Sequence, residues 1–243
     1  MKNEFSRTAL IFGQSSIEKL SKCRVAVFGV GGVGGYAVEG LVRSGVGAVD
    51  LIDSDTVSIT NINRQIIALH STVGQYKVDV MEKRIADINS DCHVKTYKCF
   101  FLEDTANMFD FTQYDYVVDA IDTVKAKLLL AETCTRLNVP IISSMGAGNK
   151  TDPSAFQVSD IYKTQYDPLA KVMRRELKKR GVKNLKVVYS REQAVKVNPD
   201  QVRELLSVED LNKRTLPGSN AFVPSAAGLL IASQVIKDLI NYD

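Results

Sequence analysis

The chain has 243 residues, 45% of them hydrophobic and 24% charged, with a net charge of +3 and four cysteines. That is the composition of a globular protein able to bury an adequate core; it excludes disordered and collagen-like architectures, and so small a net charge does not by itself imply a nucleic-acid partner. No apolar run reaches the ~18 residues of a membrane span.

The opening MKNEFSRTAL lacks the layout of a signal peptide. Cys23, Cys92, Cys99 and Cys134 form no C-x-x-C pair, which argues against a disulfide framework or a cysteine zinc site and predicts a cytoplasmic protein. In chain order, 24–29 is predicted as strand, 33–44 as helix, 48–52 as strand, 75–89 as helix and 93–98 as strand. Then follow strand 116–121, helix 124–137 and strand 139–144. Apolar strands separated by helices of about 10–15 residues indicate βαβ units and a parallel sheet covered on both faces. The predicted fold class is α/β: a Rossmann-like, doubly wound, mainly parallel sheet with a C-terminal insertion and a closing helix.

After about residue 150 the pattern loosens. Thr151-Asp152-Pro153 reads as a turn, AFQVSDI and LKVVYS as later strands, and 168–180 as a helix. The polar segment 191–220 is expected to be a partly mobile excursion ending at Leu216-Pro217-Gly218-Ser219. Residues 225–240 resume a helical period, with Ala226, Leu229, Leu230, Ser233 and Ile236 expected on the face packed against the sheet. The expected organisation is one domain over 1–243, with a nucleotide-binding core at 1–150 and a substrate-side extension at 151–243.

Gly29-Val30-Gly31-Gly32-Val33-Gly34 follows a strand and opens a helix. Gly29, Gly31, Gly32 and Gly34 let the backbone turn sharply and approach a phosphate chain, whose charge is met by the amides and dipole of the helix N-terminus. Asp53 ends the next strand, at the spacing where an acid bonds a ribose hydroxyl. That spacing fits NAD and ATP equally.

Asp53 opens a polar stretch, and Asp55, Asn61, Asn63, Arg64 and Gln65 join it as candidate cofactor-binding residues. An enzyme that splits ATP must stabilise charge building on phosphorus and on departing pyrophosphate, work suited to Arg64, to Lys77 at the head of the next helix, and to magnesium. Asp119-Ala120-Ile121-Asp122 closes a strand at the carboxyl edge, where such sheets bind ligands, and a carboxylate there is a natural Mg²⁺ ligand. Taken singly, Arg64 and Lys77 also read as surface charges, and Asp119 and Asp122 as helix caps.

GVGGVG, DSDTVSITNINRQ, Gly74-Gln75-Tyr76-Lys77 and DAID together resemble the adenylating superfamily of ThiF, MoeB and the ubiquitin-activating enzymes, over at least 5–150. The resemblance implies ATP and Mg²⁺ as cofactors. It places the ribose on Asp53, the phosphates on Asn61, Arg64 and Lys77, and magnesium on Asp122. Ser6-Arg7 lies ahead of the first expected helix, like the family arginine that reaches ATP in the partner subunit, so Arg7 becomes a catalytic candidate across a homodimer.

None of the cysteines suits a thioester enzyme. Instead, Ser144–Lys150, a basic helix, and Pro217-Gly218-Ser219 with Phe222–Gly228 resemble the tRNA threonylcarbamoyladenosine dehydratase branch, extending the likeness along the whole chain. In that branch ATP adenylates the carboxylate of threonylcarbamoyladenosine in the tRNA anticodon loop. An atom of the same modification then displaces AMP and closes a ring, with net loss of water. The basic helix supplies Lys171, Arg174, Arg175, Lys178, Lys179 and Arg180 as tRNA-binding candidates. Without interleaved aromatics, their contacts are expected to be mainly to phosphates.

A sulfur-carrier or cysteine desulfurase partner is compatible with this reading. The alternative is an enzyme adenylating the C-terminus of a ubiquitin-like sulfur carrier. More distant ones are a nicotinamide oxidoreductase and a non-catalytic nucleotide-binding module.

Overall fold

The computed structural model describes residues 3–198 and 217–242. Two short helices, α1 (Ser6–Phe12) and α2 (Gln14–Leu20), precede β1 (Arg24–Phe28), α3 (Gly34–Arg43), β2 (Ala48–Ile52), α4 (Lys77–Ile88) and β3 (His93–Tyr97). Then come β4 (Tyr116–Asp119), α5 (Val124–Leu137), β5 (Ile141–Ser144), β6 (Phe156–Asp160), α6 (Pro168–Lys179), β7 (Lys186–Ser190) and α7 (Val223–Ile240). The strands form one sheet in the order β3-β2-β1-β4-β5-β7-β6. Every pairing is parallel except β6 with β7.

β1 is apolar because it is covered on both faces. Val25 and Val27 join Val49, Leu51 and Val118 under α3, α4 and α7. Ala26 and Phe28 point the other way, with Leu130 and Cys134 of α5 and a cluster of Phe101, Phe109, Phe111 and Tyr114. Side chains alternating between two apolar layers make a doubly covered sheet. The strand order reverses between β1 and β4, which opens a crevice at their carboxyl ends.

Two expectations are corrected. Arg7 does not precede the first helix but lies within α1. The expected buried face of α7 is also rotated: Leu229 is exposed and Ser233 faces solvent. Of the expected residues Ile236 is buried, and it is joined by Val223, Pro224, Ala227, Gly228, Ile231, Ala232, Val235 and Leu239. The cause is close helix packing between α3 and α7. A Cβ on Gly228 would lie 2.3 Å from the Val33 carbonyl oxygen, and one on Gly40 would lie 2.5 Å from Ala232 Cβ. Such an approach selects glycine and alanine over leucine.

By length and mean hydropathy (1.3) α7 could cross a membrane, but half of it is buried inside the protein and it serves as a core helix. Of the excursion, 199–216 (including Leu216) lies outside the described residues. Its flanks are held by the loop after β5. Val195 N donates to Asn149 O (2.7 Å), Gly218 N to Asn149 Oδ1 (2.6 Å) and Asn149 N to Gly218 O (2.8 Å). Lys150 Nζ donates to Glu192 O (2.9 Å), and Asn220 Nδ2 to Lys150 O (2.8 Å).

Candidate functional site

The glycine loop spans the crevice between β1 and β4. Gly29 has φ +92°, and a Cβ there would lie 2.6 Å from the Ala120 carbonyl oxygen. A Cβ on Gly34 would overlap the Gly29 carbonyl at 1.7 Å. The turn is therefore closed to any side chain at these two positions, and α3 starts directly from it.

Asp53 sits where β2 ends and ties this loop down: Val30 N donates to Asp53 Oδ2 (2.7 Å) and Asp55 N to Asp53 Oδ1 (2.9 Å). Burial pushes the Asp53 carboxyl above its ordinary range, opposed by the nearby Lys77 charge and by these amides. Lys77, the first residue of α4, is buried; its Nζ lies 2.7 Å from Asp55 Oδ2 and 3.9 Å from Asp53 Oδ1. The polar stretch thus closes on itself with one cation at its centre.

Asn61 is buried and accepts from Ser58 N (3.0 Å). Arg64 Nη1 donates to Thr60 O and Asn63 Oδ1, both at 2.8 Å. Burial pushes the Arg64 guanidinium pKa down from its ordinary value. Asn63 Nδ2 reaches Ser219 O (3.0 Å), linking the stretch to the segment ahead of α7. Gln65 Oε1 and Ser54 Oγ are buried without a hydrogen-bond partner among the described residues. Both belong to the stretch that frames the glycine loop, and they are atoms a bound nucleotide could satisfy.

The two acids of Asp119-Ala120-Ile121-Asp122 part company. Asp119, expected among the cofactor-binding residues, is fully buried, so its carboxylate faces no part of the crevice. It meets Lys127 Nζ at 3.0 Å and accepts from Ser143 Oγ (2.5 Å) and Ile121 N (3.2 Å). Lys127 also donates to Ile121 O (3.0 Å). The pair holds the turn that presents Asp122, whose carboxylate is exposed and accepts from Thr123 Oγ1 (3.2 Å).

The sequence reading missed Lys127, although a signal was there. It shares the apolar stripe of α5 with Leu130, Ala131 and Cys134, where an unpaired lysine would be prohibitive. Among the described residues no three His, Cys, Asp or Glu side chains are grouped as a metal cage. One open carboxylate is nonetheless what an ion carried by ATP phosphates requires.

Arg7 is not brought to this crevice. It is exposed on α1, which is anchored elsewhere: Phe5 packs on Gly45, ahead of β2, and Phe12 meets Tyr242 edge to face at 5.1 Å. The four thiols are all held above their ordinary value by burial, Cys92 at about 11. None is poised as a thiolate near neutrality.

The basic helix α6 is less uniformly available than its sequence suggests. Asp167 caps it, accepting from Ala170 N (2.9 Å), with Pro168 in its first turn. Arg174 turns inward, donating to Thr164 O (3.0 Å) and to the Thr164 hydroxyl. Arg180 pairs with Glu132 (2.7 Å), and Arg175 and Lys179 share Glu176. Lys171 and Lys178 are exposed and carry no ion pair among the described residues.

Known proteins resemble this chain along nearly its whole length. The tRNA threonylcarbamoyladenosine dehydratase of Bacillus subtilis (strain 168) is 49% identical over 244 residues, covering 99% of this chain and 96% of that protein. The crystal structure of the Escherichia coli tRNA N6-threonylcarbamoyladenosine dehydratase in complex with ATP has a TM-score of 0.86 and 34% identity, over 98% of this chain and 94% of that one. The same enzyme in complex with AMP has a TM-score of 0.87. The ThiF family model matches residues 5–243, and the chain belongs to the ThiF family.

Proposed function

We propose that the chain is an ATP-dependent adenylating enzyme that dehydrates threonylcarbamoyladenosine in the tRNA anticodon loop, working in the cytoplasm. The observation that carries this reading is the 49% identity to the Bacillus subtilis dehydratase, which runs through the basic helix and the closing helix as well as the nucleotide core. Residues 1–243 are read as one adenylating domain.

The chemistry follows from the crevice. ATP is the co-substrate: its phosphates lie along the loop formed by Gly29, Gly31, Gly32 and Gly34, and its ribose bonds Asp53. The substrate carboxylate attacks the α-phosphorus in line and pyrophosphate leaves. Arg64 and Lys77, with Asn61, stabilise the charge that builds on the phosphoryl oxygens and the leaving group. Lys77 is the better buried of the two cations, so its charge is the less screened by water.

Gln65, Asn63 and Asp55 shape the same wall. Asp119 supports it from beneath rather than touching ligand. One Mg²⁺ held by Asp122 and the ATP phosphates would neutralise the leaving pyrophosphate.

In the second step an atom of the same threonylcarbamoyl group attacks the activated carbonyl carbon. The bond from that carbon to oxygen breaks, AMP leaves with the oxygen, and the attacking atom loses a proton to solvent. The net change is one water removed. No enzyme thiol takes part, in keeping with four thiols held protonated by burial. The intramolecular attack needs no sulfur-carrier or cysteine desulfurase partner.

The reading includes a homodimer. Arg7 cannot serve its own crevice from α1, and Leu10 and Ile11 on the same helix are 87% and 68% exposed. A second copy would cover them while receiving Arg7. The tRNA is held by the open cations of α6, Lys171 and Lys178 first, with Arg175, Lys179 and Arg180 exchanging acidic partners for phosphates.

The test is the mass of the modified nucleoside after incubation of the enzyme with ATP and tRNA: it falls by one water. An unchanged nucleoside, with AMP formed only when a small carrier protein is supplied, would replace this reading with carrier activation.

A further inference from the structure

Tyr166 is the centre of a tight turn that leads into α6. Asp167 N donates to Gln165 O at 2.8 Å, and Tyr166 has φ +59°. This three-residue turn with a left-handed centre is rare and strained, and glycine or asparagine would occupy it at lower cost. The surrounding contacts enforce it. Asp167 is buried; its carboxylate accepts from Gly146 N (3.0 Å) and Ala170 N (2.9 Å), and its carbonyl from Lys171 N (3.0 Å).

The same buried side chain therefore fixes three things: the loop after β5, the start of α6 and the direction in which Tyr166 leaves the backbone. What this rigid turn presents is a tyrosine 62% exposed as a residue, with no ring partner among the described residues. Nearby Tyr162 differs, because its hydroxyl donates to Val182 O (2.5 Å) and serves the fold.

Tyr166 immediately precedes the cap of the cationic helix. Lys171, Arg175 and Lys178 are exposed at helical spacing on α6. The Gly146 loop, tied to Asp167, follows β5, the neighbour of the strand that carries Asp119 and leads to Asp122. An exposed aromatic on a rigid turn that joins a cationic helix to the carboxyl edge of the sheet is a combination by which proteins grip unstacked bases of RNA loops: the cations take the phosphates and the ring takes the base.

We propose that Tyr166 is a stacking platform for an unpaired base of the anticodon loop, next to the adenosine whose modification is activated. This rests on the tRNA reading above and adds to it a contact to a base face. It also adds a base contact to the expectation that the basic helix meets tRNA mainly through phosphates, since the aromatic is supplied by the turn rather than by the helix.

The positive φ provides a clean probe, because Tyr166→Gly removes the ring while relieving the backbone. Full-length wild type, Tyr166→Gly and Tyr166→Phe are compared for binding and turnover of tRNA bearing threonylcarbamoyladenosine. ATP affinity and melting temperature report the state of the crevice and the fold.

The expected result is a loss of about tenfold or more in tRNA affinity for Tyr166→Gly, the scale of one base stack, with a matching rise in KM for tRNA. Its melting temperature does not fall, and Tyr166→Phe keeps wild-type affinity. The slope of affinity against salt stays the same in Tyr166→Gly but drops in Lys171→Ala and Lys178→Ala, which lose phosphate contacts. Wild-type tRNA affinity in Tyr166→Gly would overturn the proposal while leaving the tRNA reading intact. If wild-type pyrophosphate release ignores tRNA, both fail together.

Discussion

The Lys127 ammonium lies 3.0 Å from the Asp119 carboxylate, and neither side chain has any exposed surface. Fully buried charges persist only where geometry and further hydrogen bonds compensate their lost hydration. Here Ser143, the Ile121 amide and the Ile121 carbonyl complete the set. The pair clamps the turn between β4 and α5, which carries Asp122.

Lys127→Met leaves the Asp119 charge alone in the core and should cost about 3–5 kcal/mol of stability, measured by denaturant unfolding. Combining it with Asp119→Asn should restore much of the loss. If the turn positions Asp122, the folded double variant will still need more Mg²⁺ than wild type for half-maximal pyrophosphate release.

Lys77→Ala and Arg64→Ala should each lower turnover by about 10²-fold or more, the scale of one electrostatic stabiliser in a sheltered site. The check is steady-state pyrophosphate release at saturating ATP. Near-normal rates in both variants would contradict their assigned role.

Glu39 on α3 stitches the glycine-loop helix to the helix that carries Lys77. Its carboxylate accepts from Arg84 (2.7 and 2.9 Å) and Arg43 (2.7 Å). Burial alone would raise its pKa, but the hydrogen bonds from Arg84 and Arg43 outweigh burial and hold it below the ordinary value of 4.5. A carboxyl depressed in the folded state contributes stability that is fully present above its unfolded pKa and lost as pH falls through the folded one. Melting temperature should therefore drop on acidification below about 4.5 more steeply in wild type than in Glu39→Gln, which carries no such proton linkage.

Gly228→Val drives a side chain into the Val33 carbonyl and Tyr36. The overpacking should cost about 1–3 kcal/mol. Because Val33 belongs to the glycine loop, ATP affinity should fall as well, which calorimetric titration would read.

The proposal that Arg7 acts across a dimer requires two inactive variants to be complementary. Mixing Arg7→Ala with Lys77→Ala should recover about a quarter of the wild-type rate after random re-pairing in a two-fold dimer. Rates no higher than those of the separate variants would contradict action of Arg7 in the partner's site.

Much of the fold was legible because its strands are covered on both faces and therefore read as continuous apolar runs. Asp53 and the glycine loop were legible because their backbone geometry tolerates few residue types. The face of α7 was not, since apolar periodicity follows large side chains while the contact with α3 is made through Gly228, Gly40 and Ala232.

Asp119 and Asp122 look alike in sequence, and only the position of Lys127 on α5 separates the structural acid from the open one. Arg174 looked equivalent to its neighbours until its contact with Thr164 was visible. Tyr166 gave no sequence signal at all, because exposure and a left-handed turn are properties of the folded chain.

Pyrophosphate release from Mg·ATP in three parallel reactions tests the dehydratase activity itself: with tRNA bearing threonylcarbamoyladenosine, with the same tRNA lacking the modification, and with no tRNA. Release is expected in the first alone. Equal release in all three would contradict it.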